Sequence, residues 1–164
     1  MTSSLKHRVA GFLTVFLILF CASGNAQIVH GIDARDTKMQ VGALEKSCVL
    51  NLRTLNVAQI TYQGGDVSKG FARTLKQLGP DGEGLLDAAQ VSGEKDGYWF
   101  QLVPDKNAAT QKPVQHYKII ARPVKRLIKS QRSYYTDESG VIRFTEKLRK
   151  AAVTDPPLEP PYDR

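Results

Sequence analysis

The chain of 164 residues reads as an α+β protein, with a long N-terminal helix packed on a four-stranded antiparallel β-meander. Two periodicities predict this. From Thr37 to Tyr62, apolar side chains recur every three or four residues, the spacing of one helix face. From Gly97 onward the spacing drops to two, as in strands with one covered face. Gly- and Pro-containing punctuation, such as Gly79-Pro80-Asp81-Gly82, separates the two regimes.

Residues 1–26 have the layout of an export signal. Lys6, His7 and Arg8 precede an apolar stretch from Val9 to Ala22, and Gly24-Asn25-Ala26 offers small residues for cleavage before Gln27. That stretch is 14 residues long, short of the about 20 that a spanning helix needs. No integral span is therefore expected after cleavage, and the expected location is periplasmic or extracellular. Two other readings stay open: a lipoprotein signal at Cys21, which follows the bulky Phe20, and a degenerate prepilin leader ending at Gly11. Cleavage would remove two cations and no acid, lowering the net charge from +7 to +5, and would leave Cys48 as the single thiol.

The folded domain is expected over 27–154. Val41, Leu44, Cys48, Leu52, Leu55 and Tyr62 form the apolar helix face, while Asn51, Asn56 and Gln59 fall largely off it. Gly64-Gly65 supplies the stop. A rod of this length, about 39 Å at 1.5 Å per residue, has to serve as a spine for other elements. Gly70 to Leu78 fits two or three helical turns with Phe71, Leu75 and Leu78 on one side, and Leu85 to Val91 fits a further short helix or turn. Strands follow at Tyr98–Val103, His116–Arg122, Arg132–Thr136 and Val141–Phe144, and Asp137-Glu138-Ser139-Gly140 forms the last turn. In the first strand Tyr98 and Phe100 share one face and Trp99 takes the other. Four Pro between Asp155 and Arg164 predict a flexible, extended tail.

Composition narrows the function classes. With 41% hydrophobic residues, the chain is too apolar for a disordered tail and too polar for a multi-span membrane protein. Two Cys exclude a disulfide-dense miniprotein and a four-cysteine zinc site. His30 and His116 stand apart from any ligand pattern, no EF-hand spacing occurs, and the glycine clusters lack the Lys and Ser/Thr of a phosphate loop. Ser139 sits in Glu-Ser-Gly-Val, which lacks the flanking Gly of a nucleophile elbow. Neither cofactor nor enzymatic activity is expected.

The charge distribution is informative. Residues 117–150 carry ten Lys/Arg against Asp137, Glu138 and Glu146, a local net of +7. Lys118, Arg122, Lys125, Arg126, Lys129 and Arg132 are the candidate surface for an anionic partner, either DNA or an anionic envelope polymer. The same run also suits a solvated face that keeps a small protein soluble.

The order of short motifs resembles a known family. Leu52-Arg53-Thr54-Leu55 to Tyr62 closes the spine. Gly70-Phe71-Ala72, Leu85-Leu86-Asp87 and Gly97-Tyr98 follow, then Tyr117-x-Ile119-x-Ala121-x-Pro123 and Thr136-Asp137-Glu138-Ser139-Gly140-Val141-Ile142-Arg143. The series, over about residues 38–158, resembles the headpiece of type IV pilins and type II secretion pseudopilins, especially of the acidobacterial kind. The resemblance implies a non-enzymatic structural or accessory protein of the cell envelope, with pilus or secretion-system subunits as partners. Gly11-Phe12 imitates the family's leader junction, but Phe16 stands where the family has Glu, and the apolar stretch stops near Ala22. An exported headpiece, rather than an ordinary filament subunit, is the form that this departure implies.

Overall fold

The computed structural model describes residues 33–64, 66, 68–105 and 113–159. The expected export segment and the boundary at residue 27 lie outside them. Helix α1 spans Ala34–Gln63, 30 residues. Asp33 starts it with extended backbone and a carboxylate that accepts from the Arg35 N–H, and Asp36 adds negative charge to the first turn. Gly64 stops it at φ 61° and donates its N–H to the Ile60 carbonyl, a conformation that a side chain would oppose.

Among the described residues, five strands form one antiparallel sheet in the spatial order β1 (Glu94–Lys95), β2 (Tyr98–Pro104), β3 (Tyr117–Pro123), β4 (Ser133–Asp137) and β5 (Arg143–Thr145). The sheet's inner face presents Tyr98, Phe100, Tyr117, Ile119, Ala121 and Tyr134. These pack with Cys48, Val49, Leu52, Leu55 and Ala58 of α1 into one core. Each Leu buried there contributes about 1.5–3 kcal/mol. The thiol of Cys48, fully buried, is pushed well up in pKa by desolvation, so it behaves as a packed apolar group.

The sheet has one strand more than the periodicity predicts. Strand β1 is two residues long, too short to carry a period. It exists because Asp96 and Gly97, at φ 49° and 74°, make a two-residue turn back into β2. Asp96 also anchors that turn to α1, accepting from Ser47 Oγ at 2.5 Å and Asn51 Nδ2 at 2.9 Å.

Two further expectations are corrected. The helix expected over 70–78 is the single turn α2 (Leu75–Leu78). The backbone before it is already committed elsewhere: Phe71 N–H to the Val114 carbonyl, and Ala72 N–H to Gln59 Oε1. A second single turn, α3, spans Ala88–Val91. At the C-terminus, residues 155–158 are packed rather than loose. Pro157 bridges Arg143, Leu158 donates to the Ile142 carbonyl, and Leu158 touches the core.

The largest correction concerns α1. Asn51, Asn56 and Gln59, expected off the apolar stripe, are all buried. The buried arc is wider than the stripe because β3, β4, α3 and the segment at Ala72 all reach the helix, and each amide is hydrogen-bonded there. Asn56 Nδ2 donates to Thr136 Oγ1 at 2.8 Å, and Tyr117 donates to Asn56 Oδ1 at 3.1 Å. Gln90 Nε2 donates to Asn51 Oδ1 at 3.2 Å. Gln59 clamps both backbone groups of Ala72, at 3.1 and 2.8 Å. Replacing Gln59 by Ala strands two buried backbone groups, so urea unfolding should show a loss of roughly 3 kcal/mol. Thr54→Ala on the exposed side should stay within about 0.5 kcal/mol. An unshifted midpoint for Gln59→Ala would sink the clamp.

Candidate anion-binding groove

Strand alternation turns Lys118, Ile120 and Arg122 to the outer face of the sheet, away from α1. The middle of that face is not open. Ile120 and Tyr135 form a small second cluster with Ala151, and this anchors the segment after β5 across the sheet. Asp155 holds the segment in shape. Its buried carboxylate takes a two-pronged ion pair from the Arg149 guanidinium and accepts the Ala152 N–H at 2.8 Å. Arg149 beside it, first, holds the Asp155 carboxyl below the usual range.

The folded-back segment sets Leu148, Arg149 and Lys150 opposite Arg122, Pro123, Arg126 and Ser133 around a groove of about 190 Å³. Four cations from two stretches of chain thus line one small concavity. Arg126 is held in place: its guanidinium donates to the Gln131 carbonyl, to the Lys129 carbonyl at 3.3 Å and to Ser133 Oγ at 3.3 Å. Gln131 is wedged beneath, accepting the Leu127 N–H at 2.8 Å. Arg122 is exposed at the groove wall. Such an arrangement can hold one or two anionic groups through charge-assisted hydrogen bonds.

The six candidate cations do not form one surface. Arg122 and Arg126 reach the groove, whereas Lys125 and Lys129 are exposed on the connection between β3 and β4. Lys118 lies at the opposite end of β3, on the wall of a second concavity of about 340 Å³ with Asp105, His116, Asp137 and Glu138. Arg132 turns the other way. Its guanidinium sits 3.8 Å from Glu45 and 3.5 Å from Glu146 and lies over the Phe144 ring, and its backbone N–H donates to Glu45 Oε1 at 2.7 Å. It also lines a third groove, of about 570 Å³, beside Arg35, Met39 and Val41. Burial raises the Glu45 pKa despite these bonds to Arg132. Arg149 and Lys150 belong to the basic run, but only the fold-back held by Asp155 shows that they join Arg122.

In the second concavity His116 Nδ1 and Glu138 Oε1 are 2.6 Å apart. That hydrogen bond, then the carboxylate charge, lifts the histidine pKa. Burial and Asp137 push the Tyr135 phenol up to about 12. Among the described residues no group of three His, Cys, Asp or Glu side chains is placed to hold a metal, and no helix is long and apolar enough to cross a membrane. No family model, curated protein or solved structure matches the chain.

A group whose pKa rises on folding adds stability that is complete below its unfolded value and is lost as pH climbs through the folded one. The His116–Glu138 pair therefore favours the fold on the acid side of neutrality. In an NMR titration, Glu138→Gln should move the His116 midpoint down towards about 6.5. An unmoved midpoint would refute the pairing.

Proposed function

We propose that the chain is a non-enzymatic, exported, pilin-like protein of the cell envelope, structural or accessory in role, with pilus or secretion-system subunits as partners. The observation that carries this reading is helix α1 running across an antiparallel meander, with the motif series of the resemblance distributed along both. Leu52, Leu55 and Ala58 face the sheet, while Met39, Leu50, Val57 and Ile60 remain exposed on the helix. Expression in a Gram-negative host and sequencing of the mature N-terminus test the export step. A chain beginning at Gln27 is the expected product. One beginning at Phe12 would mean prepilin processing and would overturn the exported-headpiece form.

A second reading is a binding module for an anionic polymer, favoured by the convergence of Arg122, Arg126, Arg149 and Lys150 on one groove. Binding of a polyanion should weaken with salt, and Arg122→Gln should reduce the magnitude of the log–log slope by about 1. Affinity independent of salt would remove this reading.

A further inference from the structure

We propose that the outer sheet face binds an acidic glycan, with a sugar ring on Trp99 and its carboxylate or sulfate in the adjoining cationic groove. This rests on the anionic-polymer reading and adds the chemical class of the ligand. Trp99 is 44% exposed, although its strand neighbours Tyr98 and Phe100 are buried. In the register it stands directly opposite Arg122 on β3 and opposite Glu94 on β1. Facing residues in an antiparallel sheet project to the same side with Cβ atoms about 4.5–5.5 Å apart. One row across the sheet thus reads carboxylate, indole, guanidinium.

The arrangement continues along β2. Gln101, next on the same face, accepts from Lys150 Nζ at 3.3 Å, which ties the aromatic platform to the second cationic wall. Leu148, 79% exposed, forms an apolar lip on the groove. A flat apolar ring flanked by an amide, a carboxylate and a guanidinium suits a pyranose. Its C–H face covers the indole, and its hydroxyls have both acceptors and donors within reach. The net charge of the groove selects sugars that carry an acid group. The row has a carboxylate at one end and a guanidinium at the other, so a sugar on Trp99 can turn its acid group to Arg122 and donate hydroxyls to Glu94, whereas the phosphodiester backbone of DNA has no hydroxyl to donate there.

Trp99 is the single tryptophan of the chain, so tryptophan emission, excited selectively over that of the tyrosines, reports on this face. The full chain is titrated with oligogalacturonate, a neutral cello-oligosaccharide and single-stranded DNA of matched charge, and affinities are measured in parallel by calorimetry. Oligogalacturonate should shift the emission saturably and bind at least about tenfold more tightly than the neutral sugar. Trp99→Ala and the pair Arg122→Gln/Lys150→Gln should each weaken it by roughly tenfold, and Trp99→Phe should retain most of the affinity. Unchanged affinity in Trp99→Ala or tighter binding of DNA would overturn the glycan assignment while leaving the anionic-polymer reading in place. Equal binding of the neutral sugar would end both, because the cationic groove would then contribute nothing. Binding of neither polyanion at low salt would end both.

Discussion

The structure depends on how α1 buries more than its apolar stripe. Leu52 and Leu55 supply hydrophobic contact, but contact of that kind is non-directional and would allow the helix to slide or roll on the sheet. The buried amides remove that freedom. Asn56 is bonded to Thr136 and Tyr117, Gln59 to the backbone of Ala72, and Asn51 to Gln90 and Asp96. An amide inside a core is tolerated only with its partners in place, so each one selects a single seating of the helix. The sheet, the 70–91 connection and the β1–β2 turn are all registered against the helix by these bonds.

Once the inner face is seated, the outer face inherits its geometry. Alternation sends Trp99, Gln101, Ile120 and Arg122 outward because Tyr98, Phe100, Ile119 and Ala121 are needed inward. The segment after β5 then lies over Ile120 and Tyr135 and carries Arg149 and Lys150 to the end of β3. The resulting groove is a by-product of core packing on one side and of one buried ion pair on the other. Arg149 and Asp155 hold the loop from within it, so part of the positive charge is already engaged, while Arg122 and Lys150 stand exposed on the wall.

The three concavities differ in kind. The groove by Arg122 is cationic with an aromatic neighbour. The pocket at the other end of β3 sets Lys118 and His116 against three carboxylates, Asp105, Asp137 and Glu138, and is net negative. The larger groove near Met39 is lined by both signs and by aliphatic surface, with Glu45 and Arg132 bonded to each other at its base. Charge density along the sequence does not separate these environments, because antiparallel strands carry neighbouring residues to opposite ends and opposite faces of the sheet.

Local chemistry alone determined the long helix, its glycine stop, four of the five strands, the inward Tyr98 and Phe100 and the outward Trp99, since all of these follow from side-chain period and turn residues. Only the tertiary structure decided that Asn51, Asn56 and Gln59 are core residues, that 70–73 is not helical, that β1 forms, and that residues 155–158 close the sheet's edge. In each case the deciding partner lies far away in the chain: Thr136 for Asn56, Val114 for Phe71, Ser47 for Asp96 and Ile142 for Leu158. The split of the basic run has the same cause. Arg132 finds Glu45 on the helix, Arg122 finds the loop held by Asp155, and no spacing within residues 117–150 encodes which cation meets which partner.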